Sequence, residues 1–310
     1  MKVYLTQINE SWIIDKIRSE FYINFPDITT NKIKNADIVW VIAPWLSDKI
    51  KTRQLKNKKV LCSVYHLDSA KKENDDLIRF KNFDKYVNQY HTISIKSMKD
   101  IEENTNKKIT EIPFWVNTKQ FFQIANKSEL RSKYEISDDR YLVGSFQRDS
   151  EGNNPKEPKL IKGPDIFLEI VENIHKRNNK ITVILTGKRR DYLISNLIKL
   201  GIDFRYFEMV DTNSLNELYN LLDLYIVSSR LEGGPQAIVE SATSKTPIVS
   251  TDVGVATQVL SKESLFDMND CNSFFKATPN VDIAKSNVKI YETPQGYSPF
   301  ISLLSSLYES

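Results

Sequence analysis

Residues 229–242 read SRLEGGPQAIVESA and set Glu232 and Glu240 eight positions apart, around Gly233, Gly234 and Pro235. Carboxylate oxygens accept hydrogen bonds from O–H groups, so such a pair is suited to sugar and ribose hydroxyls. The apolar run LDLYIVS before it ends at Ser228, and Pro235 suits the first helical position because no N–H is needed there. A helix is therefore expected from about Pro235 through Ser244. Its first-turn amides, near Gln236 and Ala237, would point at a ligand that Gly233 and Gly234 allow close to the backbone. Glu232 then lies on the loop at the strand's carboxyl end, and Glu240 about one and a half turns into the helix. Taken alone, the same residues also describe a Gly-Pro turn with two solvated glutamates.

A second stretch, GSFQRDSEGNNPKEPKLIKGPD at 144–165, follows another apolar run and closes on Lys162-Gly163-Pro164. Arg148 at the strand end and Lys162 at a helix start could converge on a phosphate, helped by the helix dipole. Neither the G-x-x-x-x-G-K-[ST] order nor G-x-G-x-x-G is present, and a flexible basic loop is the plainer alternative. In the first half, His66 follows the run VLCSVY, where a side chain could bond a sugar hydroxyl or assist proton transfer. A purely structural histidine is the alternative there, and His91 and His175 have weaker claims. The lysine-rich run at 48–59 reads as a solvated helix and loop, and secondarily as an attractor of an anionic acceptor or membrane surface.

The elements that must hold these groups form a repeating pattern. Short apolar runs at 2–5, 37–42, 60–65, 141–146, 181–185, 222–228 and 247–251 suit buried parallel strands. Between them, Ile166, Phe167, Ile170, Val171 and Ile174 share one helical face, and Leu215, Leu218, Leu221 and Leu222 share another, with Asn213 or Ser214 available as its cap. Strand and helix in alternation predict an α/β architecture with parallel sheets. The chain has 310 residues, enough for two cores. The division expected is a domain at 1–116, a linker at 117–139, a domain at 140–290 and a C-terminal helix at 291–310 that packs back toward the first domain. Phe300, Leu303, Leu304 and Leu307 are spaced for one face of that helix.

Net charge is +3 from 43 basic and 40 acidic side chains, too balanced for a nucleic-acid binder. Cys62 and Cys271 fit no metal spacing and read as reduced thiols of a cytoplasmic protein. The run from Ile38 to Leu46 is roughly half the ~20 residues of a spanning helix, so at most peripheral membrane contact is expected.

Together these stretches resemble the retaining glycosyltransferases of family four, whose GT-B fold has two facing Rossmann-like domains with parallel sheets and an interdomain cleft. The resemblance is strongest over 141–260 and rests first on the E-x7-E spacing of Glu232 and Glu240. The family's basic pair falls on Arg148 and Lys162, its strand glycine turn on Gly187, and its first-domain histidine on His66. FWVNTKQF at 114–121 resembles the family segment before the linker, without its glycine or aspartate.

The resemblance implies transfer of a hexosyl group, with retention, from a nucleotide-diphosphate sugar to a glycan, lipid-linked or other hydroxyl acceptor. Glu240 would hold the ribose, and Glu232 the donor sugar with the amides near Gly234, Pro235 and Gln236. Gly144, Ser145 and Gly187 would line the donor, with the base near Glu208, Met209 and Val210. Catalytic roles would fall to Glu232, His66, Arg148 and Lys162. No D-x-D occurs, so no metal or other cofactor is expected. A nucleotide-sugar-binding partner without activity, a nucleotide-sugar 2-epimerase on the same fold and a plain interaction scaffold remain the alternatives.

Overall fold

The computed structural model describes every residue except 9–12, 66, 68–74, 153 and 155. It divides into two compact units, Met1–Pro113 with Tyr297–Ser310, and Phe114–Gly296.

In the first unit, β1 (Val3–Leu5), β2 (Ile38–Val41), β3 (Lys59–Ser63), β4 (Gln89–Thr92) and β5 (Ile109–Glu111) pair in that order, all parallel. A parallel bridge between Thr29 and Val3 adds a short extended segment on the outer edge of β1. The winding therefore reverses at β1, with the helix Ile13–Asn24 leading to one side and the later crossovers to the other. Every residue of β2 is buried, as its unbroken apolar run predicts.

The polar sequence QYHT of β4 carries no such signal, yet all four residues are buried. Gln89, Tyr90 and His91 are admitted because their side chains find hydrogen-bond partners. Trp40 Nε1 donates to Ser63 Oγ at 2.8 Å, Ser63 Oγ meets His91 Nδ1 at 2.8 Å, and His91 Nε2 meets the Ile112 carbonyl at 2.8 Å. The carbonyl can only accept, so Nε2 carries the proton and Nδ1 accepts from Ser63. Over this network lies the helix Ser298–Glu309, whose Phe300 stacks on Trp40 with ring centroids 5.5 Å apart. Phe300, Leu303, Leu304 and Leu307 are its buried residues, the set that the helical spacing selects.

In the second unit, β6 (Tyr141–Ser145), β7 (Ile181–Thr186), β8 (Asp203–Phe207), β9 (Leu224–Val227), β10 (Ile248–Thr251) and β11 (Leu265–Phe266) pair in the order β11-β10-β9-β6-β7-β8. This is the doubly wound Rossmann order, with its switch point between β6 and β9. The helix Pro164–Arg177 buries Ile166, Phe167, Ile170 and Val171, the expected face. The helix Thr212–Leu221 is capped by Asp211, whose carboxylate accepts from Ser214 N at 2.8 Å, rather than by Asn213 or Ser214. An ionised oxygen one residue before the helix satisfies a first-turn amide that a side chain inside the helix cannot reach.

The stretch 117–139, expected as a linker, is built into this unit. Phe121, Leu130 and Ile136 join its core. Asn216 and Asn220 accept from the amides of Phe122 and Ile124 at 3.1 and 2.7 Å. Lys127 and Arg131 both reach Asp223, at 2.6 and 2.8 Å. Polar composition concealed these anchors, because three apolar residues and a few ion pairs suffice to dock a short segment.

Burial lowers the His91 pKa to about 4, so the ring is neutral at pH 7. The unfolded chain therefore takes up the proton first, and stability present above pH 6.5 is lost as pH falls toward 4. Unfolding free energies measured at pH 7 and pH 4 should differ by roughly 3 kcal/mol more in the wild type than in His91→Gln. Equal pH dependence in the two proteins would refute the buried neutral ring.

Candidate donor-binding site

The site grows from two loops at the carboxyl ends of β6 and β9, which flank the switch point. After β9 the chain continues through Ser228, Ser229 and Arg230 to Glu232. After β6 it runs through a long loop into a single 3-10 turn, Leu160–Lys162, and then through Gly163 into the helix Pro164–Arg177. Gly163 has φ +62°, and a Cβ there would lie 1.8 Å from the Ser228 carbonyl oxygen. Only glycine permits this approach. Ser228 Oγ closes it by donating to the Gly163 carbonyl at 2.8 Å.

Further bonds join the same loops. The amides of Arg230 and Leu231 donate to the Ile161 carbonyl at 2.9 and 3.1 Å. The Arg230 guanidinium forms a two-pronged pair with Asp165 at 2.7 and 2.6 Å. With the backbones held in this way, Lys162 Nζ meets Glu232 Oε1 in an ion pair. Ser229, itself buried, places its hydroxyl 3.2 Å from the same oxygen and 3.0 Å from Gln147 Oε1. The sequence-derived candidates Lys162 and Glu232 are thus neighbours, 70 positions apart along the chain.

The helix expected from Pro235 runs over Gln236–Thr243, with Pro235 as the residue before its first turn. Gly254, at φ +51°, packs against the preceding glycines, and a Cβ there would lie 2.7 Å from the Gly233 carbonyl and 2.8 Å from Gly234 Cα. Glu240 lies inside this helix and is only 8% exposed. Its Oε2 accepts a hydrogen bond from the Tyr219 hydroxyl at 2.9 Å. Burial, and then the Glu240 charge, hold the Tyr219 pKa well above the ordinary tyrosine range, so this hydroxyl keeps its proton and donates.

The remaining candidates fall on the surrounding elements. Gly144 is inside β6, where a Cβ would overlap Leu222, so it serves the packing of strand against helix end. Ser145 is buried at the end of β6, and Arg148 is exposed in the loop that follows. Gly187 has φ +89° directly after β7, and its carbonyl accepts from the Tyr206 hydroxyl at 3.0 Å. Glu208, Met209 and Val210 follow β8, with Met209 exposed and Val210 packed on the core. His66 lies outside the described residues.

Two features had no sequence signal. Tyr219 sits within a leucine-spaced helix, where it reads simply as core. Asp149 and Arg190 form a buried ion pair, Nε to Oδ2 2.8 Å, with side chains 2% and 0% exposed. Arg190 also donates to the carbonyls of Gln147 and Thr186. Asp149 and Ser150 donate their amides to the Arg189 carbonyl, each at 3.2 Å. The loop bearing Gln147 and Arg148 is therefore pinned to the turn after β7. Among the described residues no three His, Cys, Asp or Glu side chains converge as a metal site, and no helix is long and apolar enough to cross a membrane.

Two α/β units with parallel sheets of five and six strands are the architecture of the GT-B glycosyltransferases. Residues 157–280 match the family model described as Glycosyl transferases group 1. A segment of 128 residues, 39% of this chain, is 23% identical to the lipopolysaccharide core biosynthesis mannosyltransferase LpcC of Rhizobium leguminosarum bv. viciae and spans 34% of that relative. Among solved structures, Anabaena HepE in complex with UDP has a TM-score of 0.76 at 14% identity, covering 99% of this chain and 100% of that one. The apo form of the lipopolysaccharide outer core galactosyltransferase WaaB has a TM-score of 0.68 at 12% identity, covering 99% of each chain.

Truncating Asp149 to Ala would leave a buried guanidinium without its counter-charge, at a cost of about 3–5 kcal/mol in urea unfolding. The double substitution Asp149→Leu with Arg190→Met should recover most of that loss, because no unpaired charge then remains. A double variant no more stable than Asp149→Ala would show that the pair is not the source of the loss.

Proposed function

We propose that this protein transfers a hexosyl group from a nucleotide-diphosphate sugar to a hydroxyl of a glycan, lipid-linked or other acceptor, with retention and without a metal. The observation that carries the reading is the meeting of Lys162 with Glu232 beside a Rossmann switch point, with Glu240 set in the following helix. HepE has been solved with UDP and with UDP-glucose, and a mutant of S. aureus TarM with UDP, which supports a nucleotide sugar as donor.

In this reading Glu240 accepts from the ribose hydroxyls and Glu232 from those of the donor sugar. The base lies along Glu208, Met209 and Val210, and Gly187 gives the donor room. Lys162, Arg148 and the amides of Gln236 and Ala237 carry the charge of the diphosphate. Pro235 has no N–H and contributes shape alone. The acceptor oxygen attacks the anomeric carbon on the face of the leaving group. The bond from that carbon to the phosphate oxygen breaks, and its electron pair leaves with the diphosphate. The acceptor's proton passes to the departing phosphate oxygen, so the chain supplies electrostatic stabilisation rather than a base. His66 would act on the acceptor side. Both cysteines are free thiols, which suits the cytoplasm.

Glu232→Gln should lower turnover on the order of a hundredfold while nucleotide affinity changes little. Unchanged turnover would remove Glu232 from the reacting centre. A nucleoside diphosphate at 100 times its Kd should stabilise the protein by about 2.7 kcal/mol, with or without EDTA. Stabilisation only in the presence of a divalent cation would overturn the metal-free site. Product formation without an acceptor would favour the epimerase, and binding without any product the inactive partner.

A further inference from the structure

Glu240 is a buried carboxylate on a long side chain, and such a group binds a diol well only if its orientation is fixed. The fold supplies a specific restraint. Tyr219 comes from the helix Thr212–Leu221 and reaches Glu240 on the helix Gln236–Thr243, donating its hydroxyl to Oε2 at 2.9 Å. The tyrosine is itself held by rings on several sides. Its centroid lies 5.0 Å from that of Phe146, 5.4 Å from Tyr225 and 6.0 Å from Phe121. Phe146 follows β6 directly and bonds its amide to the Tyr225 hydroxyl at 3.0 Å. A continuous set of contacts thus runs from the end of β6, through two tyrosines, to one oxygen of Glu240.

A phenylalanine in place of Tyr219 would fill the same space among these rings. The hydroxyl is therefore not required by packing, and its bond to Glu240 calls for another reason. A carboxylate offers about four acceptor positions, of which this bond uses one and fixes the plane of the others. We propose that Tyr219 is a positioning residue that orients the Glu240 carboxylate so that it reads both hydroxyls of the donor's ribose. This deepens the reading of Glu240 given above and rests on it. Tyr219 acts through Glu240, so it governs how strongly the site prefers a ribonucleotide over its deoxy forms.

The test measures the Kd values of UDP, GDP and ADP, and of their 2′-deoxy and 3′-deoxy analogues, by calorimetry on the full chain. The wild type should prefer the bound ribonucleotide over each deoxy analogue. Tyr219→Phe should weaken ribonucleotide binding about tenfold, with the deoxy analogues little affected, so that the preference collapses. Loss of a donor to a buried carboxylate also lowers stability, so binding is measured well below the melting transition of each protein, and the split between ribo and deoxy ligands separates positioning from stability. In a Glu240→Gln background, adding Tyr219→Phe should change the preference no further. An unaltered preference in Tyr219→Phe overturns the role of Tyr219. A wild type that binds ribo and deoxy forms equally overturns Glu240 as the ribose ligand instead. Binding of none of the nine compounds overturns the nucleotide-sugar reading itself.

Discussion

The close approach of Gly163 to the Ser228 carbonyl is the constraint from which the candidate site follows. Two loops leave neighbouring strands at the switch point and would otherwise diverge. One backbone position without a side chain lets them touch, and reciprocal contacts then accumulate around it. Ser228 bonds Gly163, Arg230 and Leu231 bond Ile161, and the Arg230 guanidinium grips Asp165. Lys162 and Glu232 are the side chains next to that seam, so their pairing follows from backbone geometry. Their own attraction need not bring the loops together.

Charge is handled in two ways in this unit. Lys162 and Glu232 retain partial solvent access, at 24% and 12% side-chain exposure, and can exchange one another for a ligand's charges. Asp149 and Arg190 lie almost wholly out of water and cannot. A buried pair contributes little net stability against an apolar replacement, but it demands one arrangement of its neighbours. Here that arrangement ties Gln147, Asp149 and Ser150 to the turn after β7.

Much of this was legible in the chain. Seven apolar runs mark seven of the strands, and the spacing of Phe300, Leu303, Leu304 and Leu307 marks the buried face of the last helix. The strands that escaped detection did so for physical reasons. In β4, whose sequence is QYHT, the side chains of Gln89, Tyr90 and His91 are buried through hydrogen bonds rather than through apolarity. The edge strand β8 leaves most of its side chains partly or fully in solvent, and β11 is two residues long. Lys162 and Glu232 were separate suggestions until the strand order placed their loops side by side. The partnerships of Tyr219 and Arg190 are long-range facts of the fold, and local spacing carries no trace of them.

The division of the chain has a consequence for the order in which it is made. The first unit needs Tyr297–Ser310 as well as its opening 113 residues, so its assembly is interrupted by the whole of the second. During synthesis the β-sheet bearing Trp40 emerges before the second unit, but the helix that stacks Phe300 on it is translated only after that unit. Until then a face of tryptophan and its hydrogen-bonded histidine stays uncovered. The second unit is contiguous and can fold meanwhile. The nascent chain is therefore expected to complete its domains in reverse order, with the first to appear the last to close.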